Sequence, residues 1–286
     1  MSFLSNKTKD ENKIITLSTC WYILTSKFDN KTYLKWITNL LSIVHHFNLV
    51  IYTDNNSLKL FVHLIDFSNK KIKIIITAIE EFYTYKYKDF WVKNHKNSNL
   101  NLHSHIDWRL NMLWNEKVFF VNETIKKQYF DTIYYGWCDI GYFRNRQNDL
   151  HCNYLKNWPN NQKLLDGYFD KKYIHYGCVQ NDNLIYINLQ NDINTHYTNK
   201  LKTQPTFQIE TKCFAGGFFI LNRDLIDTYV KLFDEKLFYY FMNNFIIKDD
   251  QSIIMDIIFT NANIFNIHTE NTNKFDNWFM FQRLLL

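Results

Sequence analysis

Residues 134–144 read YYGWCDIGYFR, an aromatic run that ends in Asp139, with Gly141 two places further on. Aromatic bulk at this density suits a buried strand. A carboxylate buried at the end of such a strand is costly unless it has a metal, a hydrogen-bond network or a cation beside it. Which partner Asp139 has depends on what the rest of the chain brings to that strand end.

Upstream, KIITLSTCWYI (13–23), LVIYTDNNS (49–57) and KIKIIITAI (71–79) have the β-branched character of strands. TYLKWITNLLSIVHHF (32–47) carries apolar residues at helical spacing, and HIDWRLNMLWNEKVFFVNETIKKQ (105–128) reads mainly as helix. Strands alternating with helices predict an α/β fold with a largely parallel central sheet flanked by helices. In such sheets ligands sit beyond the carboxyl ends of the strands. Thr16 and Ser18 after the first strand, Thr53-Asp54 after the second and Asp139 after the fourth are therefore expected at that edge.

Between 145 and 210 the pattern loosens around one expected strand, LIYINL (184–189), and reads as a substrate-side insertion. Order returns with ETKCFAGGFFILNRDLIDTYVKLFDEKLFYYF (210–241), a strand interrupted by Gly216-Gly217 and followed by an amphipathic helix. KDDQSIIMDIIF (248–259) has the acidic start of a helix, and NIFNIHT (263–269) is strand-like. Residues 1–12 form a polar tail, and 13–286 are expected as a single domain.

With 46% hydrophobic residues and only 6 Gly and 2 Pro in 286, the composition excludes a linker-rich or disordered chain. A net charge of +5 is spread over scattered lysines, so no nucleic-acid footprint is expected, while anionic small substrates remain compatible. The five cysteines are widely spaced without a CxxC pair and read as free thiols. MSFLSNKTKDENK has no apolar core of a signal peptide and no run reaches membrane-span length, which predicts a cytoplasmic protein.

Four elements carry chemistry when taken together: WCDIG (137–141), FAGGFF (214–219), DDQ (249–251) and His268. Each has a plain structural reading as well. Asp139 suits a turn, the glycine pair suits a bulge or a close backbone approach to a ligand, and Asp249-Asp250 suit a helix N-terminus. His268 suits a hydrogen-bonded structural histidine. Thr16, Ser18 and Asp54 are candidate base and ribose contacts, and Arg109 and Lys117 are candidate diphosphate cations, against a solvated helix face for the last two.

In this order the four elements resemble a nucleotide-sugar glycosyltransferase of the GT-A, Rossmann-like type. LWNEKVFFVNETI, YYGWCDIGYFR, FAGGFFIL, DDQ and NWFMFQ resemble the HtrL/YibB-like family of glycosyltransferases over most of residues 13–282. The resemblance implies a nucleotide-sugar donor, a UDP-sugar in particular, and a glycan or other hydroxyl acceptor. It implies a divalent cation, Mn²⁺ or Mg²⁺, held by Asp139 and His268 to stabilise the leaving diphosphate. It also implies that Asp250 is the carboxylate near the anomeric carbon, with Asp249 and Gln251 on sugar hydroxyls and Gly216-Gly217 admitting the sugar. Gly141 stands where the GT-A pattern has a second Asp.

Two other classes fit parts of the pattern. A nucleotidyltransferase also binds a nucleoside phosphate over an α/β sheet, but LSTCWYILTSK lacks the Gly-rich basic loop that it needs after the first strand. A non-catalytic carbohydrate-binding protein would use the same aromatics without binding nucleotide.

Overall fold

The computed structural model describes residues 14–205, 211–272 and 274–286, so the polar tail expected at 1–12 lies outside the described residues. Strand β1 (Ile15–Cys20) pairs in parallel with β2 (Asn48–Thr53) on one side and β4 (Tyr134–Cys138) on the other. Outside β2 lies β3 (Ile72–Ile76), also parallel. Beyond β4 the order continues with β6 (Phe214–Asn222), β5 (Ile174–Cys178) and β7 (Phe265–His268). Strand β6 is antiparallel to both of its neighbours, and β5 and β7 are parallel to each other. The chain thus has the mainly parallel α/β sheet that its pattern predicts.

Every residue of β1, β2, β4 and β5 is buried, as in a sheet covered on both faces. On one face Tyr52, Trp137, Phe219 and Tyr176 pack under the helices Lys117–Lys126, Ile226–Met242 and Asp250–Thr260. On the other, Leu17, Leu49, Cys138 and Phe218 meet the Asn30–Leu41 helix and the C-terminal Phe279–Phe281 segment. Asp29 starts the Asn30–Leu41 helix by accepting a hydrogen bond from the Thr32 amide at 2.8 Å.

Two expectations change, and the helical reading of 105–128 holds. LIYINL is not a strand but the start of the helix Asn183–Thr198, capped by Asp182. Its buried seam, Leu189, Ile193 and His196, follows helical spacing, while Leu184, Ile185 and Ile187 stay exposed. The strand of that region is instead β5, which sits inside the central sheet, so part of the 145–210 stretch is integral to it. The helical stretch 105–128 divides into Trp108–Trp114 and Lys117–Lys126, and the break makes Lys117 the first residue of the second helix.

Asp256 ties three helices together: it lies 2.7 Å from the Tyr197 hydroxyl, 2.8 Å from that of Tyr240 and 2.8 Å from the Lys236 ammonium. Its side chain is fully buried, so its removal takes away the carboxylate that a buried cation and two hydroxyls share. Asp256→Ala is expected to lower unfolding free energy by about 3 kcal/mol, the scale of breaking a buried pair, as measured by urea titration. A change below about 0.5 kcal/mol, the surface-substitution scale, would contradict this role.

Candidate active site

The carboxyl ends of β1 and β4 and the amino end of antiparallel β6 reach the same edge of the sheet. The chain order reverses beside β1, with β2 and β3 on one side and β4 on the other. This is where an α/β sheet opens a crevice. A cleft of about 580 Å³ lies there, walled by aromatic side chains that include Trp21, Trp36, Trp114 and Trp278.

Lys117 forms the floor. Its ammonium is buried, donates to the Gly216 carbonyl at 2.8 Å, and lies 3.0 Å from Asp139 Oδ1 and 2.8 Å from Asp250 Oδ2. Burial alone would lower its pKa, but the charges of Asp139 and Asp250 outweigh burial and hold it above the ordinary lysine value. Asp139 also accepts from the Trp137 indole at 2.6 Å, and its backbone amide donates to the Gly217 carbonyl at 2.8 Å. With 38% of its side chain exposed, Asp139 faces the cleft, whereas Asp250 is almost enclosed at 5%.

The glycine pair has two uses. Between Tyr176 and Cys178 of β5, β6 runs from Phe219 to Phe214, so the pairing with β5 shifts register across the glycine pair. A Cβ on Gly216 would stand 2.5 Å from Asp250 Oδ2, so its missing side chain makes room for that carboxylate rather than for a ligand. Gly217 is partly exposed and lines the cleft, and a Cβ there would come 3.3 Å from Asp139 Oδ2.

Asp249 is the N-cap of the Asp250–Thr260 helix and accepts from the Gln251 amide at 3.2 Å. Asp249, Asp250 and Gln251 all line the cleft. Burial pushes the Asp250 pKa up to about 7; the charges of Asp249 and Asp139 push the same way, and Lys117 opposes them.

Lys117, Asp139, Gly216, Gly217, Asp249, Asp250 and Gln251 are therefore brought together, and the other candidates are not. Thr16 lies near the amino end of β1, where its hydroxyl accepts from Thr132 at 2.9 Å. Ser18 is buried against Thr124 at 2.8 Å. Asp54 caps the short helix Asn55–Phe61, accepting from the Ser57 amide at 2.6 Å. Arg109 forms a two-pronged pair with its neighbour Asp107 at 2.9 and 2.7 Å. None of the four lines the cleft.

The residues do not fit the expected metal. His268 ends β7, three strand positions from β4 with β6 and β5 between, about 14 Å at the usual strand spacing. Ligands to one ion each sit about 2 Å from it, so Asp139 and His268 cannot share one. His268 instead bonds His175 at 3.0 Å among Phe169 and Phe281; burial, then the His175 ring, pushes its pKa down to about 3. A side chain at Gly141 would meet Trp36 at 2.6 Å, so no second aspartate fits there without displacing that ring. Among the described residues no three of His, Cys, Asp or Glu are placed to hold a metal.

Sequence reasoning missed Lys27, Arg144, Lys212 and Lys248, which also line the cleft. Arg144 ends the YYGWCDIGYFR stretch and was legible only as a neighbour of Asp139; the three lysines looked like scattered surface charge. Among the described residues no helix is long and apolar enough to cross a membrane.

No family model matches the chain, and no curated protein matches it. Among solved structures it is similar to mouse xyloside xylosyltransferase 1 in its apo form, at 13% identity and a TM-score of 0.47, over 90% of this chain and 85% of that one. It is also similar to galactosyltransferase LgtC in complex with donor and acceptor sugar analogues, at 9% identity and a TM-score of 0.46, over 90% of this chain and 73% of the other.

The raised Asp250 pKa gives stability a pH signature. Unfolded, this carboxyl titrates near its ordinary 3.8; folded, it titrates at about 7. Between those values the folded protein retains a proton that the unfolded chain has released, so this contribution is full below the lower value and is lost as pH rises through the upper one. Asp250→Asn is neutral throughout. Its melting temperature relative to the unsubstituted protein is expected to rise between about pH 4 and about pH 7, as followed by calorimetry. A difference that stays flat or falls would contradict the raised pKa.

Proposed function

We propose that this protein is a glycosyltransferase of the GT-A type, related to the HtrL/YibB-like family, that moves a sugar from a nucleotide donor, a UDP-sugar in particular, to a hydroxyl of a glycan or similar acceptor. The observation that carries this reading is the convergence of Asp139, Asp250 and Lys117 beneath an aromatic-walled cleft at the carboxyl edge of the sheet. A cleft of about 580 Å³ suits a nucleotide sugar, since small-molecule sites span roughly 300–1,000 Å³. Flat aromatic walls offer stacking surfaces for a base or a sugar face.

In the reaction, the bond between the anomeric carbon and the diphosphate oxygen breaks and its electron pair stays on the diphosphate. The acceptor oxygen bonds the anomeric carbon and gives up its proton. Asp139, the carboxylate that faces the cleft, is suited to hold sugar hydroxyls. Asp250, titrating near neutrality, is suited to take the acceptor proton. Lys117 keeps the two carboxylates apart and oriented, and Asp249 and Gln251 stand beside Asp250 at the helix start.

Purified protein incubated with a panel of nucleotide sugars and hydroxyl acceptors tests the reading. Transfer is expected to rise with pH towards a plateau above about 7, following Asp250. Asp250→Asn is expected to bind nucleotide normally and to transfer at least about a hundredfold more slowly, the scale of losing general-base assistance. Turnover equal to that of the unsubstituted protein would remove Asp250 from the reaction, and a protein that binds no nucleotide would remove the transferase reading itself.

A further inference from the structure

The misfit between the carboxylates and a metal has a positive counterpart in the cleft. The ammonium of Lys117 already occupies the place between Asp139 and Asp250, within 3.0 Å of an oxygen of each. A divalent ion bound to the same oxygens would stand beside that fixed like charge, and the two repel at such range. The carboxylates also need Lys117 to offset their burial, so it cannot leave without cost.

Other cations face the cleft, Arg144, Lys27 and Lys212 among them. Among the described residues Arg144 makes no ion pair: its Nε donates to the Gly141 carbonyl at 2.8 Å. The guanidinium lies 4.5 Å from the Trp36 ring centre and 5.2 Å from that of Phe279. With Nε on the Gly141 carbonyl, its terminal nitrogens are left for an acceptor, and arginine takes phosphate oxygens in pairs. Lys27 lies 5.1 Å over Trp114, and Lys212 lies 5.8 Å over Trp278, both on the cleft wall. A diphosphate leaving group carries the charge that such a ring of cations would neutralise.

Resting on the transferase reading, we infer that this protein neutralises its donor's diphosphate with its own side chains, Arg144 with Lys27 and Lys212 facing the phosphates while Lys117 fills the place between the carboxylates that a metal would take, so that nucleotide binding needs no divalent cation. The test uses the full chain, with UDP and GDP as probes, in excess chelator and in MnCl₂. Thermal shift and calorimetry are expected to give the same nucleotide affinity in both media. Arg144→Gln, measured in chelator, is expected to weaken that affinity about tenfold or more, the scale of one charge-assisted hydrogen bond. Nucleotide binding that appears only with Mn²⁺ would overturn the inference while leaving the transferase reading standing. Unchanged affinity in Arg144→Gln would also overturn it. Should that variant fail to fold, the chelator comparison on the unsubstituted protein still decides. Absence of nucleotide binding in both media would remove the transferase reading, and this inference with it.

Discussion

A buried ammonium between two carboxylates is the constraint on which this sheet edge depends. Lys117, Asp139 and Asp250 come from a helix start, a strand end and a second helix start, and each would be costly in its position alone. Together they offset one another, and the Gly216 carbonyl accepts from the ammonium as well. Because the cluster holds two acids within reach of one base, and Asp249 stands beside it, the excess negative charge adds to burial in raising Asp250. The same charge balance that holds the edge together thus produces a carboxyl group tuned to neutral pH.

That cluster exists because β6 runs against the strands beside it. An antiparallel β6 begins at the edge where β1 and β4 end, so Gly216-Gly217 meet the residue that follows β4. The register shift against β5 lies beside Gly216, whose missing side chain gives the Asp250 carboxylate its place. Behind it, Asp256 anchors the same helix to Lys236, Tyr197 and Tyr240, which fixes where the helix start points.

The separate fate of His268 follows from sheet order. It is close in type to a metal ligand and close in height to Asp139, yet β6 and β5 lie between them. Its partners are His175 and aromatic rings of the opposite core. Distance along the sheet, rather than residue chemistry, separates it from the cleft.

Much of this protein was legible in its amino-acid sequence because the signals are local. The first four strands showed themselves by β-branched and aromatic runs, and the Asp250–Thr260 helix by its acidic start before an apolar run. Asp139 and the glycine pair could be singled out because polar or side-chain-free residues interrupt otherwise apolar strands. LIYINL misled because its six residues satisfy a strand pattern, and the helical seam at Leu189, Ile193 and His196 begins only at its end. Thr16 and Ser18 misled because a strand's composition does not say which of its residues reach the ligand edge. Tertiary structure alone decided that β6 lies beside β4, that Lys117 serves two carboxylates rather than solvent, and that His268 is remote. Those outcomes depend on strand order and on which buried charges meet, and such contacts join residues far apart in the chain, where no local propensity acts.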